Sequence, residues 1–100
     1  VASDVDGTLL NSKSQLEPAT AAAIHNIAAE VRFFPATGKC RQGTRNVLGI
    51  DVVGGVFVNG LVVYDDESRV IHEELLSQET VDAVTRYVET SPPLDAVAYA

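Results

Sequence analysis

One hundred residues, 46% of them hydrophobic and 21% charged, make an ordinary globular composition, large enough for a single small domain with its own core. No stretch approaches the roughly 20 apolar residues of a membrane-spanning helix, and a net charge of −7 repels polyanions, which argues against a membrane anchor and against nucleic-acid binding through a basic face. Cys40 is the only cysteine, so an internal disulfide and a structural zinc site are excluded, in keeping with a reducing, cytoplasmic setting.

The run Val1-Ala2-Ser3-Asp4-Val5-Asp6 reads as a short strand that ends where Gly7-Thr8 releases the backbone, and Asn11 to Gln15 reads as a loop. Pro18 suits a first helical turn, and Ala19 to Glu30 is rich in helix formers, with Ile24, Ile27, Ala28 and Val31 on one stripe. This helix meets the strand-like Val31 to Ala36 without the Gly or Asn expected at a C-terminal cap. Either the helix stops early or residues are missing at that join. Thr37-Gly38-Lys39 closes the second strand, and Cys40 to Leu48 reads as a second helix ending near Gly49. The order strand, helix, strand, helix implies a parallel sheet with right-handed crossovers.

Val56-Phe57-Val58 and Leu61 to Tyr64 flank Asn59-Gly60, the pattern of a two-residue hairpin turn. A second turn, Asp65 to Ser68, reads as solvated and leads to Arg69-Val70-Ile71-His72, completing a small antiparallel meander. Gln78 to Glu89 has the spacing of an amphipathic helix with Val81, Val84 and Val88 on one face. A Ser91-Pro92-Pro93 break and the apolar run Ala96 to Ala100 follow, and because apolar runs stand at both ends, the chain reads as a piece of a longer protein.

The chemistry gathers at two places. On a strand, residues i and i+2 share a side, so Asp4 and Asp6 project together while Val5 faces away. Two adjacent carboxylates repel, and a divalent cation makes the pair tolerable. Magnesium, which takes oxygen ligands and keeps several waters, suits two protein oxygens and a phosphate. One carboxylate can attack phosphorus while the other transfers protons. At the end of the second strand, Thr37 and Gly38 bring together a hydroxyl, bare amides and a helix start, an arrangement that favours phosphate, and Lys39 adds a positive charge. Asn59 serves its turn and is a further candidate to face a substrate. Cys40, His25 and His72 read as packing or surface residues.

Asp4-Val5-Asp6-Gly7-Thr8-Leu9-Leu10 resembles the first motif of the haloacid dehalogenase-like superfamily, and Ala36-Thr37-Gly38-Lys39 resembles its second. With the Asn59-Gly60 hairpin and the following helix, the whole chain is similar to the Cof-like phosphatases, which insert a large cap after the second motif. The resemblance implies an incomplete Rossmann-like parallel core over residues 1–77 and the beginning of an inserted α+β cap over 78–100. It also implies Asp4 as nucleophile and magnesium ligand, and Asp6 as general acid/base with its carbonyl on the metal. Thr37 and Gly38 would bind phosphate, with Lys39 and Asn59 near the substrate. Lys39 departs from the family's usual arginine, whose guanidinium fork an ammonium does not reproduce.

The family's third and fourth motifs, a lysine and an acidic pair, fall beyond residue 100, so the 100-residue piece by itself is expected to be inactive. The partner implied is a small phosphorylated metabolite such as a sugar phosphate. A sugar phosphomutase and a catalytically silent phosphate-binding module are the rival readings, and oligomeric state has no signal in the sequence.

Overall fold

The computed structural model describes residues 1–91. Val1's carbonyl accepts from the Phe34 amide and Ser3's from the Ala36 amide, so β1 (Ala2–Ser3) lies parallel to β2 (Phe34–Pro35) with Ala2 beside Phe34. A single parallel bridge between Ala36 and Val56 carries the sheet on to β3 (Gly55–Phe57). From there β4 (Val62–Tyr64) and β5 (Val70–Glu73) run antiparallel in the order β3-β4-β5. The expected mixed α/β architecture, a parallel sheet followed by an antiparallel meander, is present.

The connecting helices stop where local chemistry stops them. α1 (Pro18–Ile27) begins on proline, whose missing N–H costs nothing in a first turn. It ends at Ile27 rather than Glu30, and the amides of Glu30 and Val31 both return to the Ile27 carbonyl. The helix thus stops early, as one of the two readings of the abrupt helix-to-strand join expected. Only Ile24 of the expected stripe is buried, and Ile27 and Val31 are exposed.

α2 (Arg41–Leu48) starts at Cys40, whose Sγ accepts from the Gly43 amide at 3.3 Å, and ends at Gly49 in the left-handed region at φ 63°, where glycine carries no steric penalty. Cys40 is therefore the helix cap rather than its first residue.

Val5, Leu10, Leu48, Val52 and Phe57 form the core, and Val5 and Phe57 retain 0% and 1% of their accessible surface. Phe57 meets Tyr64 edge-on at 5.8 Å, and the Arg41 guanidinium sits 4.4 Å from the centre of the Tyr64 ring. Thr44 is fully buried, and its hydroxyl donates to the Cys40 carbonyl at 3.0 Å, which answers the cost of burying it.

The turn after β4 is organised by Asp65, which accepts from the amides of Glu67 and Arg69 and from the Arg69 guanidinium. The Arg69 amide first, and then its side chain, hold the Asp65 carboxyl below its ordinary value of 3.8. The stability this turn contributes is complete above that value and is lost as pH falls below it. α3 (Gln78–Thr90) is capped by Ser77, whose Oγ accepts from the Thr80 amide. Its apolar face is open, with Val81 and Val84 exposed and Val88 half-buried. The expected Pro92-Pro93 break and the terminal apolar run lie outside the described residues.

Candidate active site

Strand pairing ends at Ser3, so the first acidic residue stands just past the strand rather than on it. Val5 nevertheless keeps the alternation, being fully buried while Asp4 and Asp6 are exposed. Its carbonyl accepts from the amides of Leu9 at 3.0 Å and Leu10 at 3.1 Å and more distantly from Thr8, winding the chain into a tight turn around one anchored residue. Within that turn the Thr8 hydroxyl donates to Asp4 Oδ2 at 3.0 Å. Asp6 Oδ2 meets the Lys39 ammonium at 3.2 Å.

The loop between β2 and α2 is bonded on both sides. Thr37 is buried, donates its amide to the Val56 carbonyl at 2.9 Å and accepts the Lys39 amide on its hydroxyl at 3.2 Å. The carbonyls of Thr37 and Lys39 accept the amides of Asn59 at 3.2 Å and Val58 at 3.1 Å. Gly38 lies under the Asn59 side chain, and a Cβ there would stand 2.9 Å from Asn59 Oδ1. A methyl group fits there only if the Asn59 carboxamide moves aside.

These bonds explain why the hairpin differs from expectation. Phe57 pairs with Val62, so four residues rather than two connect the strands. Val58, Asn59 and Gly60 take φ of 51°, 55° and 97° in succession. A two-residue hairpin around Asn-Gly exchanges two bonds between the flanking residues; here the Leu61 amide donates to the Val58 carbonyl at 3.2 Å, but the Val58 amide that would complete the pair is given to the Lys39 carbonyl, and the Asn59 amide to that of Thr37. A β-branched residue such as Val58 is strained in the left-handed region, a strain that surrounding structure must hold in place.

Asp4, Thr37, Gly38, Asn59 and Gly60 converge on one cavity of about 260 Å³. Asp6 and Lys39 pair with one another and are not among its lining residues. A larger cavity, about 580 Å³, is lined mainly by apolar residues such as Ile24, Phe33, Phe34 and Val53 and contains neither acidic residue of the Asp4 turn. The smaller one holds the chemistry: an exposed carboxylate beside a hydroxyl, a glycine and a carboxamide can take a compact anion and present it to a nucleophile.

Two features escaped sequence reading. Thr8 braces Asp4, and the i,i+4 spacing of a hydroxyl and a carboxylate across a glycine turn was a usable signal. The Asp6–Lys39 contact joins residues far apart in the chain, and no local pattern announces it. Among the described residues no group of three His, Cys, Asp or Glu side chains is arranged to hold a metal. Asp4 and Asp6 supply a two-carboxylate donor set of the hard oxygen kind.

A family profile of haloacid dehalogenase-like hydrolases matches residues 1–100. Among curated proteins, the chain is 36% identical over 88 residues to the Arabidopsis thaliana protein named endoribonuclease YBEY, chloroplastic, covering 76% of this chain and 15% of that one. Among solved structures, it superposes on a hypothetical protein from Geobacillus kaustophilus with a TM-score of 0.72 at 30% identity, covering 88% of this chain and 35% of that chain. It superposes on a sugar phosphatase of haloacid dehalogenase subclass IIB with a TM-score of 0.58 at 26% identity, covering 88% of this chain and 36% of that chain. The chain thus spans little more than a third of each of these structures, and less of the curated relative.

Proposed function

The chain belongs to the haloacid dehalogenase-like hydrolases, and from that premise we propose that the full-length protein is a magnesium-dependent phosphatase acting on a small phosphorylated metabolite of the sugar-phosphate kind. The observation that carries this reading is the one cavity on which Asp4, Thr37, Gly38 and Asn59 converge, with Asp6 on the same turn as Asp4 and paired to Lys39 of the phosphate loop. The likeness to a protein named as a sugar phosphatase supports the substrate class.

In this reading Asp4 attacks phosphorus. The new bond from its carboxylate oxygen forms as the ester P–O bond breaks, giving an aspartyl phosphate. Asp6 gives a proton to the departing alcohol oxygen, then takes one from the water that hydrolyses the acyl phosphate, so phosphate leaves and both carboxyl groups return to their starting states. The Gly38 amide and the Thr37 hydroxyl hold the transferring group in line with Asp4, and Thr8 fixes the Asp4 rotamer through the oxygen it already bonds. Asp4 and Asp6 would hold magnesium, which when bound neutralises part of the phosphoryl charge.

Residues 1–77 are assigned to the catalytic core and 78–100 to the beginning of a cap. The contrast between a buried Val5–Phe57 interior and an open α3 supports that division. The test is phosphate release by the full-length protein with magnesium. Asp4→Asn is expected to lower turnover by at least roughly 10³-fold, since an amide cannot form the covalent intermediate. Retained turnover in that variant would sink the mechanism.

A further inference from the structure

The Lys39 ammonium is 3.2 Å from Asp6 Oδ2, with the two side chains 34% and 54% exposed, and neither residue lines the Asp4–Thr37–Gly38 cavity. The backbone of Lys39 is held at both polar groups, its amide by the Thr37 hydroxyl and its carbonyl by the Val58 amide. The base of the side chain is thereby fixed to the phosphate loop, and only its four-carbon stem is free. Asp6 opens a turn wound on the Val5 carbonyl, and among the described residues Lys39 is its one charged partner.

A cation anchored to one half of the site therefore holds a carboxylate belonging to the other half. A half-exposed ion pair is weak, and an ammonium on a flexible stem offers point attraction rather than the two-pronged grip of a guanidinium. Such a hold fixes a resting position and still lets go.

Building on the phosphatase reading above, we infer that Lys39 is a positioning residue for Asp6: it holds the Asp6 carboxylate to the phosphate loop and sets the place from which that group reaches the leaving oxygen. Lys39 works through Asp6 and not on the phosphate. Two consequences separate this role from substrate binding. Loss of the ammonium acts on kcat and leaves KM alone, and in the phosphorylation half of the reaction it matters only where the leaving group needs a proton.

In the full-length protein with magnesium, Lys39→Gln is expected to lower kcat roughly two- to fivefold on an alkyl phosphate, at unchanged KM. On 4-nitrophenyl phosphate, whose phenolate departs without protonation, the burst of nitrophenolate that accompanies phosphorylation of Asp4 keeps the parent's rate in the same variant, so that any loss there is confined to hydrolysis of the aspartyl phosphate. Lys39→Arg, which retains the charge, recovers most of the loss. Combining Lys39→Gln with Asp6→Asn adds nothing to the deficit of Asp6→Asn alone. Affinity for inorganic phosphate, read by calorimetry, is the same with and without the Lys39 ammonium. A raised KM on both substrates, weakened phosphate binding, an additive loss in the double variant or an unaltered kcat would each overturn the inference while leaving the phosphatase reading standing. Full activity of Asp6→Asn on the alkyl phosphate would remove the acid role of Asp6, and this inference with it.

Discussion

The Asp4 turn and the segment from β5 through α3 are both tied together by local hydrogen bonds, yet they are anchored differently. Val5 and Phe57 are buried almost to the last atom under the acidic turn and the phosphate loop, whereas Ile71, Leu75, Leu76 and Tyr87 are all more than 60% exposed. α3 holds itself together with its Ser77 cap, a Gln78–Asp82 side-chain bond and a Thr90 hydroxyl donating to the Arg86 carbonyl. None of those bonds attaches it to anything else. The lesson is that position and shape come from separate sources: the candidate site is placed by an interior, while α3 is shaped by its own backbone and is placed by little else among the described residues.

That contrast can be broken most directly at Phe57. Phe57→Ala is expected to cost about 3–5 kcal/mol in chemical denaturation, the range for emptying a buried aromatic site. A loss under 1 kcal/mol would mean that the interior does not anchor the site. Gly38→Ala probes the same architecture without emptying the core. Its Cβ would stand 2.9 Å from Asn59 Oδ1, so turnover of the full-length protein should fall about 10²-fold with the melting midpoint nearly unmoved. At the other extreme, Tyr87→Ser on α3 should change the denaturation free energy of the 100-residue chain by no more than about 0.5 kcal/mol. A larger shift would show α3 packed against the rest, and the contrast would have to be redrawn.

What could be read from the sequence followed the range of the interactions involved. The Asp-Val-Asp alternation placed Val5 inward and both acids outward because side-chain direction along an extended segment is a local property. Pro18, Gly49 and the valine spacing from Gln78 bounded helices for the same reason. The Asn59-Gly60 turn was legible, with both residues at positive φ and the Leu61 amide on the Val58 carbonyl, but its two-residue loop length was misjudged because the Val58 amide is claimed by the Lys39 carbonyl about twenty residues earlier, and a dipeptide rule contains nothing about such a competitor. The stripe on α1 was legible as a pattern, but burial of Ile27 and Val31 depends on what packs beside them, and here they stay exposed. The convergence of Asp4, Thr37, Gly38 and Asn59 on one cavity required the parallel pairing of β1, β2 and the Val56 bridge, and only the fold supplies that.

The docking of the Val58–Gly60 turn onto the Thr37–Lys39 loop also imposes an order in time. A nascent chain carries both aspartates, and then the threonine and glycine of the anion loop, before it carries the groups that hold that loop in shape: the partner of the Thr37 amide arrives with Val56, and those of the two carbonyls with Val58 and Asn59. At about 5–20 residues per second, the interval from Lys39 to Asn59 is roughly one to four seconds of synthesis. During it the carboxylates exist without a formed cradle opposite them, so a ribosome paused before Asn59 would carry a chain that has both acids and no seat yet for phosphate.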